Sequence, residues 1–207
     1  MIAIIDYGMG NLRSVEKALE SLGAECAILS SPSPRDQYAG IILPGVGAFG
    51  DAMENLRREG WIDWIRDTVE SGMPFLGICL GLQLLFNWSD EGEGAQGLGI
   101  IPGKVVKFPP EVGIIPHMGW NRLKMESGTP LFSGIDRDSY VYFVHSYYVL
   151  PDQAEVIAAT TDYGIDFVSA IARNNIYGLQ FHPEKSQAIG LKILNNFLGL
   201  CAFNTAY

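Results

Sequence analysis

Long apolar runs are missing from the start of this 207-residue sequence. The run from Met1 to Ile5 is closed by Asp6, and it is too short for the core of a signal peptide or for a membrane span. The sequence therefore predicts a cytoplasmic protein without a membrane partner.

Basic residues are also few, and they are scattered. Lys and Arg number 14 against 23 Asp and Glu, which gives a formal net charge of -9. A surface that binds nucleic acid needs a stripe or patch of positive charge to neutralise phosphates. We therefore expect no nucleic-acid partner.

Cysteine is scarce. Cys26, Cys79 and Cys201 are an odd number at wide spacing, so they form neither a disulfide framework nor a paired zinc-ligand pattern. Small apolar residues flank Cys26 and Cys201, so we interpret these two cysteines as packing residues. We expect three free thiols and no metal or organic cofactor.

Apolar residues, at 48% against 18% charged residues, are abundant enough for a globular core. No linker, repeat or low-complexity segment interrupts the chain, so we expect one domain over residues 1–207.

The order of elements predicts a doubly wound α/β domain with a mixed central sheet. In the first half, short apolar runs alternate with helical patterns, as in parallel sheets with crossover helices. Predicted strands there cover 2–5, 25–29, 40–43 and 75–78, with helices over 12–22 and 51–71. Beyond residue 97 the strands are 97–108, 120–125, 140–144, 155–160, 167–172 and 176–181, and a last helix opens at Ser186.

A candidate nucleophile lies between a strand and a helix. Gly77-Ile78-Cys79-Leu80-Gly81 follows an apolar strand and precedes a helical run, which is the pattern of a nucleophile elbow. The Leu80 backbone N–H, at the helix start, is placed to stabilise an oxyanion. The alternative is a buried structural cysteine in a glycine-rich turn.

A candidate base lies near the carboxyl end of the chain. His182 and Glu184 are two residues apart, and Pro183 keeps the segment out of helix, so extended backbone would turn both side chains to one side. Glu184 would then orient His182, as in a nucleophile, base and orienter set. A surface His-Pro-Glu turn is the alternative. His117 and His145 have no acid close in sequence, which favours His182.

The run at 45–50, GVGAFG, matches a dinucleotide-binding GxGxxG. That match is weak, because the run does not follow the first strand and no acid ends a next strand about 20 residues on. The same Pro44 to Gly47 backbone is better suited to supply a second oxyanion N–H opposite the elbow.

Three signatures together resemble those of the class I, triad-type glutamine amidotransferases: PGVGAFG at 44–50, GICLGLQ at 77–83 and FHPEKS at 181–186. The runs DYGMGN at 6–11, PHMGWN at 116–121 and YFVHSYY at 142–148 are similar to the glutaminase subunits of imidazole glycerol phosphate synthases. The resemblance covers essentially the whole chain and implies a flavodoxin-like glutamine amidotransferase domain.

The resemblance implies a role for each matching residue. The triad is Cys79, His182 and Glu184, and the oxyanion donors are Val46 and Leu80. Contacts of substrate glutamine are Gly47, Gln83, Glu91, Ser146 and Tyr147. Partner-facing residues are Asn11, Pro116, His117, Met118, Trp120, Tyr142 and Lys185. Without the resemblance, Trp120 and Tyr142 would be read as core aromatics and Lys185 as a solvated charge.

The resemblance also implies a reaction and a partner. Glutamine would be hydrolysed through a cysteinyl thioester, and its ammonia would pass to a (β/α)8-barrel cyclase subunit that makes imidazole glycerol phosphate and AICAR in histidine biosynthesis. Two alternatives stay open: the glutaminase of another synthase, such as anthranilate synthase, and a catalytically silent regulatory subunit. Anthranilate-type glutaminases usually carry HPES where this chain has HPEKS.

Overall fold

The first half of the chain builds a parallel sheet with crossover helices. The computed structural model describes residues 1–204, and the last three residues of the predicted domain lie outside that range. The elements are β1 (Ile2–Ile5), α1 (Leu12–Ser21), β2 (Cys26–Leu29), β3 (Gly40–Gly45), α2 (Phe49–Arg58), α3 (Trp61–Glu70), β4 (Phe75–Cys79) and α4 (Leu80–Leu84). Every residue of β1, β3 and β4 is buried, as expected of strands covered on both faces.

The second half adds mostly antiparallel strands and a carboxyl-terminal helix. The elements are β5 (Phe86–Ser89), β6 (Ala95–Gln96), β7 (Ile101–Lys107), β8 (His117–Arg122), β9 (Lys124–Met125), β10 (Tyr140–His145), β11 (Tyr147–Pro151), β12 (Ile157–Asp162), β13 (Asp166–Arg173), β14 (Ile176–Leu179) and α5 (Gln187–Asn204). The main sheet runs β2-β1-β3-β4-β14-β13-β11-β7-β5-β6, and β12 and β9 extend it beside β13. The prediction of a doubly wound α/β fold with a mixed sheet is confirmed.

The two halves meet where β14 pairs in parallel with β4. Because β3 also runs parallel to β4, the carboxyl ends of three neighbouring strands lie side by side. Pro44 and Gly45 pair with Ile78 and Cys79 there, so the glycine-rich strand end lies directly beside the cysteine.

Separate apolar clusters cover the two faces of the sheet. Ile4 belongs to one cluster with Val15 of α1 and Phe197 of α5. Ile5, its neighbour in β1, belongs to the other with Leu56 of α2 and Trp61 of α3. This alternation along one strand places helices on both faces.

The prediction of one helix over 51–71 is wrong. The helix stops after Arg58, and a second helix begins at Trp61. Gly60 adopts a left-handed backbone conformation, φ 76°, which ends a helix and is easily reached only without a Cβ. The apolar spacing continues across the break, because both helices cover the same face of the sheet.

Three strands, β5, β6 and β11, were not predicted. The helical run after the elbow stops at Leu84, and Phe86 already starts β5; β11 is also a strand. β5 and β11 both pair with β7, a long-range contact that local patterns do not reveal.

Ser186 directly precedes α5, where the sequence predicts the start of the last helix. Its hydroxyl donates to the His182 carbonyl at 2.7 Å and accepts from the Tyr142 N–H at 3.0 Å.

Among the described residues, no helix is both long and apolar enough to cross a membrane.

Candidate active site

Cys79 lies on a strained elbow between β4 and α4. Its backbone has φ 54° and ψ -109°, a positive φ that residues other than glycine rarely adopt. A Cβ at Gly77 would lie 2.6 Å from the Gly81 carbonyl oxygen, and one at Gly81 would lie 1.8 Å from the Leu43 carbonyl oxygen. Both glycines are required because strand and helix approach each other this closely.

The Cys79 sulfur faces two polar groups that are distant in sequence. It is 4.0 Å from the Val144 carbonyl oxygen and 3.8 Å from the Gln180 side-chain nitrogen. Only 6% of the residue is exposed, and this exposure opens into a cavity.

His182 and Glu184 form a buried pair. Nδ1 of His182 lies 2.8 Å from Oε1 of Glu184, and the exposed fractions of the two side chains are 2% and 1%. The expected extended geometry is wrong, because Pro183–Lys185 form a 3-10 turn that brings the carboxylate back to the ring. The predicted pair thus exists, through a different backbone path.

The pKa of His182 is raised to about 9. Burial is the largest influence and lowers this pKa, but hydrogen bonding and charge interactions with Cys79 and Glu184 together outweigh it. His182 Nε2 makes no hydrogen bond of regular geometry within the described residues. The arrangement favours a protonated His182 imidazolium beside the Cys79 sulfur at neutral pH.

A cavity of about 270 Å³ collects the predicted site residues around the sulfur. Its lining is Val46, Gly47, Cys79, Leu80, Gln83, Glu91, Val144, His145, Ser146, Tyr147 and His182. The structure therefore brings together the predicted nucleophile and base, both predicted oxyanion residues and all five predicted substrate contacts. Glu184 stands behind His182, as an orienting group should.

The family model described as "Glutamine amidotransferase class-I" matches residues 3–200 of this chain. The chain belongs to the class I glutamine amidotransferases. It is thus an enzyme of glutamine hydrolysis.

Curated relatives of this amidotransferase are similar over nearly their whole length. The chain is 54% identical over 203 residues to "Imidazole glycerol phosphate synthase subunit HisH" of Syntrophotalea carbinolica, covering 95% of this chain and 98% of the relative. It is 49% identical over 205 residues to the protein of the same name from Geobacillus thermodenitrificans, covering 97% and 96%.

Solved structures share the fold at lower identity. A structure titled "Crystal structure of glutamine amidotransferase" superposes with a TM-score of 0.76 at 20% identity, covering 98% of this chain and 100% of that one. A chain of PurLQS from Thermotoga maritima superposes with a TM-score of 0.77 at 21% identity, covering 96% and 97%.

Two predicted substrate contacts of the amidotransferase are held by neighbouring groups. Oε2 of Glu91 accepts the Phe49 backbone N–H at 2.8 Å, so the carboxylate is fixed at the start of α2. Nε2 of Gln83 donates to the Tyr147 carbonyl at 3.0 Å and to Oε1 of Gln180 at 3.1 Å. Both N–H groups of Gln83 are thus used, and its oxygen remains to accept from a ligand.

Sequence reasoning missed a pair of buried histidines beside the cavity. His145 Nδ1 donates to the Tyr147 carbonyl at 2.8 Å, so its Nε2 accepts the Nδ1–H of His117 at 3.0 Å. Burial is the main cause that lowers the pKa of His117 to about 4 and that of His145 to about 3. Both rings are neutral at physiological pH. The signal lay in the strand register, which places the two residues opposite each other on β8 and β10.

The predicted partner-facing residues divide into two groups. His117 is buried, at 3% exposure, so its side chain is not available to a partner. The others reach the surface: Met118, Trp120, Pro116 and Lys185 are exposed, and Asn11 and Tyr142 are half-buried. Trp120 and Tyr142 pack edge to face, 6.1 Å apart, outside the core.

Proposed function

We propose that the chain, as one domain over residues 1–207, is the glutaminase subunit of an imidazole glycerol phosphate synthase. The observation that carries the chemistry is the cavity with Cys79 on its elbow, faced by His182, which Glu184 orients at 2.8 Å. The relatives at about half identity, named as HisH subunits, support the assignment to this synthase. Three free cysteines fit the reducing cytoplasm as its location.

The reaction begins at the sulfur. The Cys79 thiolate attacks the side-chain amide carbon of glutamine, and the oxyanion accepts the Val46 and Leu80 backbone N–H groups. One such donor contributes about 3–4 kcal/mol to the transition state. His182 protonates the departing ammonia and leaves a glutamyl thioester. It then deprotonates the water that hydrolyses this thioester to glutamate.

The cavity offers complementary groups for the rest of the substrate. Glu91 contributes a carboxylate, and Gln83 has a free side-chain oxygen. Both attract the α-ammonium group of glutamine. Gly47, Ser146 and Tyr147 line the same space and complete the proposed contacts.

The released ammonia requires a partner. Ammonia in bulk water at neutral pH becomes ammonium, which is not a nucleophile, so the product must pass directly into a shielded channel. We infer that a (β/α)8-barrel cyclase subunit docks on the exposed residues Met118, Trp120 and Lys185. An apolar surface that remains open in the single chain supports such a docking site.

Glutamate release from glutamine tests the proposal. The purified chain is measured alone, with the cyclase subunit, and with the cyclase subunit and its nucleotide ligand, and the last mixture should turn over fastest. An anthranilate synthase partner serves as the matched control and should give no stimulation. Stimulation by that partner instead would assign the chain to another synthase. Absence of turnover with every partner would identify a silent regulatory subunit.

A further inference from the structure

Gln180 is a buried polar residue at the site that the mechanism above does not use. It follows β14 directly, its side chain is fully buried, and its backbone N–H donates to the Ser169 carbonyl at 2.9 Å. Its Nε2 points to the Cys79 sulfur at 3.8 Å. A fully buried amide is retained at such a position only if its hydrogen-bonding groups find partners.

The backbone places Gln180 beside the proposed base. Gln180 and His182 are two residues apart, and both side chains interact with the Cys79 sulfur. Phe181, between them, is fully buried in the core, where its ring lies 5.8 Å from that of Phe143. The His182 backbone N–H donates to the Tyr142 carbonyl at 3.0 Å, which fixes the segment.

A chain of hydrogen bonds decides which end of the Gln180 amide faces the sulfur. The Tyr147 carbonyl only accepts, so the nitrogen of Gln83 must face it. The second N–H of that nitrogen donates to Oε1 of Gln180. Gln180 must then turn its own nitrogen, a donor, toward Cys79.

We propose that Gln180 is a further catalytic residue, which donates a hydrogen bond to the Cys79 thiolate and stabilises it alongside His182. This inference rests on the proposed function. A thiolate is a stronger acceptor than a thiol or a thioester sulfur, so the bond is strongest when the sulfur is negatively charged.

The negative charge on the Cys79 sulfur is present at two points of the reaction. It is present before attack, and it returns when water has added to the thioester. The tetrahedral intermediate then collapses, the C–S bond breaks, and its electron pair leaves on sulfur as glutamate forms. Gln180 stabilises the leaving thiolate in this second step.

Gln180 differs from the titratable groups around the Cys79 sulfur, because it is a hydrogen-bond donor without a charge. The His182 imidazolium faces it, with Glu184 behind, and the Glu91 carboxylate lies in the same cavity. Burial, with a smaller effect of the Cys79 charge, raises the pKa of Tyr7, so its phenol stays protonated. His145 stays neutral because burial lowers its pKa to about 3. The Gln180 amide does not titrate, so its effect persists when His182 loses its proton.

Alkylation of Cys79 by iodoacetamide in the full chain tests the proposal. Mass spectrometry of the Cys79 peptide measures the alkylation rate at each pH. Gln180→Met keeps the length of the side chain but removes the donor, and Gln180→Glu keeps its shape and replaces the donor by a carboxyl group. In both variants we expect the alkylation rate profile to move up by about one pH unit, so that the rate on its rising limb falls about tenfold, which corresponds to about 1.4 kcal/mol. Gln153→Met, at an exposed position, makes the same chemical change away from the site and should leave the profile unchanged.

A variant that is only destabilised melts at a lower temperature but keeps the position of its pH profile. An unchanged profile in the folded Gln180→Met variant would overturn the role of Gln180, even if the wild-type chain hydrolyses glutamine with its partner. Absence of glutamine hydrolysis by the wild-type complex, together with a shifted profile, would refute the proposed function and leave the hydrogen bond to the thiolate supported.

Discussion

Gly81→Ala tests whether the elbow requires the close approach of α4 to β3. The added Cβ would lie 1.8 Å from the Leu43 carbonyl oxygen, whereas an ordinary contact begins near 3.4 Å. Both colliding groups are rigidly placed, because Gly81 lies in a helix and Leu43 lies in a strand buried on both faces. The helix must therefore move by more than an ångström, and Cys79 moves with it.

The expected loss of stability is large. Overpacking a core typically costs about 1–3 kcal/mol, and a clash with backbone belongs at the upper end. In a chain of this size, about 3 kcal/mol lowers the melting temperature by roughly 6–12 °C. Circular dichroism during thermal and urea unfolding measures both quantities.

Gly199→Ala is the matched control, because nothing lies within 4 Å of a Cβ at that helical position. Alanine should stabilise the helix there by about 0.5–1 kcal/mol. If Gly81→Ala unfolded within about 1 kcal/mol of the wild type, the argument that glycine is sterically required at the elbow would be refuted.

Two further predictions concern pH. The pKa of His182 is raised from its ordinary value of 6.5 to about 9, so protonation of this ring stabilises the folded chain. This stabilisation is fully present below pH 6.5 and is lost as pH rises through 9. The Glu184→Gln variant should therefore show a smaller fall in melting temperature than the wild type between pH 6.5 and 9. A fall as large as that of the wild type would contradict the pairing of His182 with Glu184. The lowered pKa of His117, about 4, gives stability that is lost as pH falls from 6.5 toward 4. His117→Asn should lose less stability than the wild type in acid unfolding, and a steeper loss would argue against a buried neutral ring.

Much of the fold and the elbow could be predicted from local patterns. Strands buried on both faces read as continuous apolar runs, and a cysteine between two glycines after such a run indicates the turn that forms. Each signal lies within a few consecutive residues, so it needs no knowledge of distant contacts.

The missed features all depend on residues that are distant in sequence. β11 is a strand because it pairs with β7, and the histidine pair exists because His117 and His145 lie opposite each other across two strands. Gln180 has no sequence signal for its position next to sulfur, since its orientation is decided by Gln83 and the Tyr147 carbonyl. Such hydrogen-bond networks become visible only after the chain has folded.

Cys79→Ala in complex with the cyclase subunit tests whether Cys79 is the nucleophile that supplies ammonia. The synthase reaction is measured with glutamine and, separately, with an ammonium salt at a pH where free ammonia is present. We expect the variant to lose the glutamine-dependent reaction and to keep the ammonia-dependent one at the wild-type rate. Glutamine-dependent synthesis that survives in the variant would contradict the assignment of Cys79 as the nucleophile that supplies ammonia.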